Sequence, residues 1–424
     1  MSYKKISVKQ GINIHEIQTN KFKTNLFSVF LSTPLERQSV TKNALLAAVL
    51  RRGSKNMPSQ EVISEKLEEM YGAVFNCGIE KIGDNHTLKF YLETVNDNFL
   101  PNKESILEKT LEILLEIVFN PFVENDSFKQ EYVEGEKQNL KQIIEGKIDN
   151  KGMYALERAI EEMYKDEPYG LYKFGYVEDL SKISSKDLYE YYKKLIKECK
   201  IDIFVSGDID DSVSKYIMNN EIIVNLNERE PNLIDITEKK DLQDVKEIQD
   251  KMDVTQGKLV LGLDVMENEE DTSCAAMLYN AILGGGANSK LFQNVREKNG
   301  LAYTCGSNYI KRKQTIFARA GIEIKNYDKA LNLIKEQIED IKNGDFTHED
   351  LENSKNLIIA SIEAIPEEQD TEITYYFGGE LSGKIVEVED YKEKVQNVNR
   401  EEIIKIAKSI RINTIYFLTG NKEA

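Results

Sequence analysis

EKLEEMYGAVFNCG (65–78) and VREKNGLAYTCG (295–306) are two readings of one pattern. In each, a helical pattern stops at a glycine and Cys-Gly follows: Gly72 then Cys77-Gly78, and Gly300 then Cys305-Gly306. The match extends outward. TLKFYLETV (87–95) and TIFARAGIEI (315–324) alternate as strands do. Thr87 and Thr315 stand 228 positions apart, the same offset as Gly72 and Gly300. Amphipathic segments follow at 103–119 and 328–343, then FVEND (122–126) and FTHED (346–350), each before another helix. Thr347 with Asp350 is a capping pair. Each half closes on a strand entering a Ser/Thr-Gly turn, IFVSGD (203–208) and YFLTGN (416–421).

A pattern repeated in order at a nearly constant offset is the signature of internal duplication. The expected architecture is α+β: two similar lobes, 1–220 and 245–424, each an antiparallel-rich sheet covered by helices. The segment 221–244 is the linker, within a charged stretch (227–250) poor in aromatics. Length agrees, since 424 residues exceed one ordinary core.

Composition excludes several classes. A formal charge of −17 argues against nucleic acid, because phosphate neutralisation needs clustered Lys and Arg. The longest apolar run, ALLAAVL (44–50), is far short of a membrane span, and MSYKKISVKQ lacks a signal-like apolar core. The four cysteines (77, 199, 274, 305) lack CxxC spacing and suit reduced thiols, so the cytoplasm is the expected compartment.

The glycine run GGGANSKLF (284–292) fits neither phosphate-binding pattern: Ser289 stands where the last Gly of GxGxxG and the second Gly of the P-loop belong. It reads as a turn before a helix, capped by Asn288 or Ser289, with Leu291, Phe292 and Val295 facing the core. Gly300 reads as a left-handed stop. In the following strand Leu301, Tyr303 and Cys305 are expected on one face. Taken alone, Arg296 is a helix-end cation and Tyr303 an ordinary strand aromatic. GDIDD (207–211) lacks the rest of a calcium loop and reads as a turn.

A repeated α+β lobe whose second copy carries GGG-x-x-S-x-L and then R-x6-Y ending in GLAY resembles the insulinase/pitrilysin peptidases. These are inverted zincins of the LuxS-like metallopeptidase fold. The likeness covers nearly the whole chain, including QGKLVLGLDV (256–265). It implies that Arg296 and Tyr303 bind a substrate carbonyl as it gains charge, with Gly284, Gly285, Gly286 and Asn288 shaping the substrate cleft.

The same resemblance places an HxxEH motif on the first-lobe helix, where two histidines share a face for Zn²⁺ and the Glu activates water. Here KNALLAAVLRRGSKN (42–56) puts Ala44, Ala47 and Ala48 at those positions. On EGEKQNLKQIIEG (134–146) Ile143 stands at the third-ligand position, and a small shift would bring in Glu145. The only histidines, His15, His86 and His348, include no helical pair. The chain is therefore expected to bind no cofactor. It resembles the bacterial zinc-free subunits that supply Arg and Tyr to a zinc site in an HxxEH-bearing partner, the two together cleaving a peptide substrate. Retention of the fold as a peptide-binding or assembly scaffold is the alternative. An autonomous peptidase with unusual ligands ranks last, and a homodimer of the isolated chain is left open.

Overall fold

The computed structural model describes residues 2–101, 105–235, 244–267 and 272–421. The strands are β1 (Ser2–Lys9), β2 (Ile12–Gln18), β3 (Thr24–Pro34), β4 (Val74–Ile82) and β5 (Asn85–Val95). A short hairpin, β6 (Val123–Glu124) and β7 (Ser127–Phe128), precedes β8 (Lys200–Gly207). Then come β9 (Lys246–Met252), β10 (Gly257–Val265), β11 (Ala302–Ile310), β12 (Thr315–Ile322) and β13 (Ile410–Gly420).

The first sheet runs β1-β2-β8-β3-β5-β4 and the second β11-β12-β10-β13-β9. Leaving β1 aside, the second order reproduces the first strand for strand. Each sheet holds one parallel pair, β2 with β8 and β13 with β9, among antiparallel neighbours. Both halves of the sequence therefore solve the same topological problem, and the fold is α+β with helices over antiparallel-rich sheets.

The central strands β3 and β10 are buried nearly throughout, so both faces of each sheet are covered. One face of the first sheet packs on helices of its own half, including Val40–Leu50 and Leu107–Phe119. The other cover comes from far along the chain. The chain divides into two compact units: one comprises 1–146, 171–235 and 368–383, the other 147–170, 236–367 and 384–424. Each half thus gives up one helical segment to the other unit. The sequence reading, with continuous lobes at 1–220 and 245–424, contains no sign of this exchange, because amphipathic periodicity records that a helix buries a face and not whose sheet receives it.

In the first unit, Gln369–Leu381 lies on β3 and β8. Phe377, fully buried, stacks on Phe30 with ring centroids 3.9 Å apart. Tyr376 stacks on Tyr3 at 4.3 Å, Lys89 Nζ lies 2.6 Å from Asp370, and Gln369 Nε2 donates to Ser206 O at 2.9 Å. In the second unit, Lys151–Met163 sends Ala155, Ala159, Ile160 and Met163 against Val260, Phe317, Tyr416 and Leu418. Gly262 permits this approach: a Cβ there would lie 2.6 Å from Met163 Sδ. Polar ties flank the contact, Arg158 Nε to Asp250 at 3.1 Å and Lys313 Nζ to Glu167 at 2.9 Å.

The linker is shorter than the composition implied. Glu221–Asn225 is helical with Ile223 fully buried, and Arg229 is buried, donating to Ile196 O at 2.7 Å. At the other end β9 begins at Lys246. The linker residues 236–243 lie outside the described residues. Four local expectations hold. Thr347 and Asp350 form a reciprocal capping box, Gly300 has φ +60°, all four cysteines are free thiols, and Asp210 in the GDIDD turn caps the helix Asp211–Asn219. Among the described residues no helix is long and apolar enough to cross a membrane.

Two outcomes follow. Phe377→Ala should lower unfolding free energy by about 3–5 kcal/mol in urea titration, the usual loss for a fully buried Phe; an effect within experimental error would remove the exchanged helix as a stabilising element. The second concerns His86, whose Nε2 lies 2.9 Å from Lys173 O and whose Nδ1 faces the Asn43 amide at 3.0 Å. Burial pushes its pKa down from 6.5 to about 4. The folded state then disfavours the proton that the unfolded chain accepts below pH 6.5. Stability falls as pH drops from about 6.5 toward 4, by up to about 3 kcal/mol. His86→Gln should flatten that part of the pH–stability curve; an unchanged slope would place its origin elsewhere.

Candidate functional site

Arg296 and Tyr303 sit on two irregular pieces of backbone in the second unit. Leu291–Lys298 is a π-helix, not the expected α-helix. The wider turn is rare and recurs at functional sites because it displaces side chains from α-helical positions. Leu291 and Val295 are fully buried and anchor it, Ser289 Oγ accepts from Phe292 N at 3.4 Å, and Asn299 and Gly300 close it, with Gly300 N donating to Arg296 O at 3.0 Å. Phe292 is only partly buried, and the Arg296 guanidinium lies over its ring at 4.6 Å. That stacking orients the arginine while leaving its side chain 43% exposed, with Glu297 at 3.5 Å.

Tyr303 stands in a β-bulge. The register of β11 on β12 shifts between Ala302, opposite Ile322, and Thr304, opposite Gly321. Simple alternation, which would put Leu301, Tyr303 and Cys305 on one face, therefore fails. Leu301 and Cys305 pack partly against the core, whereas Tyr303 is 64% exposed. The extra residue turns the ring outward, which is what bulges beside binding sites do. The π-helix packs on β11, and each element leaves one of the two side chains exposed, Arg296 and Tyr303 respectively.

The glycine run supports β11. A Cβ on Gly284 would fall 2.5 Å from Ser307 N, and one on Gly285 would fall 2.7 Å from Ala281 Cα. Gly284 lets the helix Ser273–Gly284 close directly on β11, and Gly285 lets the chain turn tightly over the last turn of that helix. Gly286 has more room, its nearest neighbour being Leu357 Cδ2 at 3.4 Å, and Asn288 is exposed.

The first unit holds the positions where the resemblance placed zinc. Ala44 and Ala47 are buried in the apolar core on Val40–Leu50, and Ala48 is partly buried. Ile143 is 48% exposed, and Glu145 lies 3.8 Å from Lys141 across one helical turn. The sequence reading missed Glu136, two turns before Ile143, which is buried 3.4 Å from Arg52 and accepts from Asn139 Nδ2 at 3.0 Å. Cys77 Sγ approaches Ala47 O at 3.3 Å, and burial pushes the thiol up to about 11. Methyl groups, a protonated thiol and a guanidinium–carboxylate pair leave this location no open ligand set.

One group of three potential ligands occurs among the described residues: His15, Asp202 and Glu380, with ligand atoms within 4.8 Å of one another. It too was invisible in the sequence, since 365 positions separate its ends. Its chemistry is that of an ion-pair network. Lys200 Nζ lies 3.1 Å from Asp202 and 2.7 Å from Glu380, Lys5 Nζ lies 2.7 Å from Glu380, and His15 Nε2 lies 2.9 Å from Asp202. Two ammonium groups already balance the two carboxylates. The Lys200 ammonium and the His15 contact hold Asp202 below the usual carboxylate range despite its complete burial.

Known proteins match the chain over nearly its whole length. A family model described as Peptidase M16 inactive domain matches residues 182–358. A Bacillus subtilis protein named probable inactive metalloprotease YmfF is 34% identical over 423 residues, covering 98% of this chain and 97% of its own length. The chain belongs to the M16, or insulinase/pitrilysin, peptidase family. A crystal structure of a conserved protein from Enterococcus faecalis superposes over all of both chains at TM-score 0.92 and 28% identity. A Bacillus subtilis protein named uncharacterized zinc protease YmfH is 31% identical over 112 residues, 26% of this chain. Within the family, this chain lacks the HxxEH motif.

The site separates packing from exposure in a way mutagenesis can read. Gly284→Ala should destabilise by roughly 1–3 kcal/mol through the clash with β11. Tyr303→Phe and Arg296→Ala should stay within about 0.5 kcal/mol of the native chain. Thermal melts check both, and a large loss from Tyr303→Phe would make that residue structural.

Proposed function

We propose that this chain is the zinc-free subunit of a heterodimeric peptidase, supplying Arg296 and Tyr303 to a zinc site carried by an HxxEH-bearing homologue. The observation that carries the reading is the pairing of opposites within one chain. The ligand positions Ala44, Ala47 and Ala48 are filled by methyl groups. Arg296 and Tyr303 are held outward by a π-helix and a β-bulge. A tyrosine 64% exposed contributes little to its own lobe, so packing does not explain its placement.

In this reading the partner's zinc activates water and polarises the scissile carbonyl. The residues of this chain do the rest of the oxyanion work. Arg296 donates N–H groups to the substrate carbonyl, preset by its stacking on Phe292, and the Tyr303 hydroxyl donates alongside it. Donors fixed before substrate arrives cost no reorganisation when charge develops. Zinc would be bound by the partner alone, and the substrate is a peptide. Cytoplasmic location is part of the same proposal, consistent with four free thiols. So is descent of the two lobes from one duplicated lobe, which the matching strand orders support.

Bacillus subtilis contains relatives of both kinds by name, a probable inactive metalloprotease and uncharacterized zinc proteases. The source organism of this chain is therefore a reasonable place to seek its HxxEH-bearing homologue. Cleavage of a quenched peptide library by that homologue should rise sharply when this chain is added. Arg296→Ala, still folded and still bound to the partner, should lower the shared activity by about 100-fold, the scale for losing one oxyanion donor. Equal support from the variant would exclude Arg296 from the chemistry. It would favour the scaffold reading, in which the fold persists to bind peptides or stabilise an assembly.

A further inference from the structure

The face of the second sheet that receives Lys151–Met163 is apolar around Val260, Phe317, Tyr416 and Leu418, but changes character toward β11. There Lys258 on β10 stands opposite Gly321 on β12, and Arg319 stands opposite Val260. The two cations are diagonal neighbours on one face, roughly 7–8 Å apart along the backbone and within mutual reach of their long side chains. Gly321 leaves a hollow between the strands. A Cβ there would lie 2.8 Å from Thr304 Oγ1, 3.3 Å from Gln256 Oε1 and 3.3 Å from Lys258 Nζ. Three polar groups thus converge on a space that any other residue would fill.

Neither cation is compensated. Lys258 Nζ donates to Gln256 Oε1 and Arg319 Nη2 to Asn308 Oδ1, both neutral amide oxygens. Among the described residues no carboxylate lies within ion-pair distance of either. Both cations are partly buried, and burial lowers the pKa of each with no opposing charge to raise it. In a chain of net charge −17, other half-buried cations such as Arg52, Lys147 and Arg158 do have acidic partners. Partly desolvated, unpaired cations cost stability, and a protein with 73 acidic residues had many ways to neutralise them. Thr304 and Asn308 at the margin are exposed, so the hollow is reachable from solvent.

We propose that Lys258 and Arg319, over the Gly321 hollow, form a carboxylate-binding subsite that takes the C-terminal carboxylate of a peptide held beside Tyr303. The planar guanidinium offers two parallel N–H donors to one carboxylate, and the ammonium and Thr304 hydroxyl supply the remaining donors. Thr304 directly follows Tyr303 in β11, which puts the hollow one residue along the strand from the exposed ring. The proposal rests on the reading of Arg296 and Tyr303 as peptide-binding and adds an end preference to it. The overall negative field opposes polyacidic ligands, which favours a single carboxylate at a peptide's end over an acidic tract.

The test uses the purified chain alone, with an acetylated pentapeptide of neutral side chains as the free acid and as the C-terminal amide. Isothermal titration calorimetry at low salt should show the acid binding about tenfold more tightly. Arg319→Gln and Lys258→Met should each abolish most of that preference, with melting temperatures equal to or above that of the native chain. Arg319→Lys should keep part of it. Equal binding of acid and amide, no binding of either at millimolar concentration, or a preference surviving the double variant would overturn the subsite. An amide peptide with one internal Glu that binds as tightly as the acid would overturn the assignment to a chain end. The partner assay remains separate: acid preference without activation of any HxxEH-bearing homologue would sink the shared-site function and leave the carboxylate subsite standing.

Discussion

Two aromatic and apolar contacts, Phe377 on Phe30 and Met163 over Gly262, decide how this protein holds together. Both sheets have central strands apolar on two faces, and such strands need two covers. Each half of the chain supplies one cover for its own sheet, and the second arrives from the other half. The constraint is severe. A helix committed to a distant sheet ties the folding of each unit to the presence of both halves, and the loops leading into it cannot be arbitrary. The polar ties around the exchanged helices, Asp370 with Lys89 and Arg158 with Asp250, fix orientation where apolar packing would fix only proximity.

The same scaffold makes ordinary core of the first-unit positions where the resemblance placed metal ligands. A buried metal-binding helix face must otherwise carry imidazole and carboxylate groups that need satisfaction. Alanine at 44 and 47 removes that need and leaves ordinary core packing behind. Glu136, still buried, is satisfied by Arg52 and Asn139. The second unit went the other way. Its surface keeps a π-helix, a bulge, an outward tyrosine and two unpaired cations, none of which improves the lobe that carries them.

Much of this was legible in the residues, and the failures are specific. Cys-Gly after Gly72 and Gly300 gave the repeat, and the matching strand orders repeat with it. Thr347 with Asp350 and Gly300 behaved as local chemistry dictates, because caps and left-handed glycines depend on neighbours a few residues away. Tyr303 did not. Alternation placed it with Leu301 and Cys305, and a single bulged residue turned it out. Nothing in GLAYTCG announces a bulge, since its cause is the register against β12. The His15–Asp202–Glu380 network escaped for a plainer reason: its members meet only after β2, β8 and an exchanged helix have assembled.

By itself, then, the sequence determined the fold class, the repeat, the family likeness and the loss of the metal ligands. All of these are written in residue identity and short-range spacing, and short-range spacing survives without a tertiary context. Only the tertiary structure decided which sheet each amphipathic helix covers, that Tyr303 is exposed, that the Gly284 turn is a packing device, and that Lys258 and Arg319 share a face of β10 and β12 with amide partners and no carboxylate. Those are properties of pairs far apart in the chain. Hydrophobic periodicity says that a face will be buried; what it is buried against is settled by competition among all the faces available, which no local pattern contains.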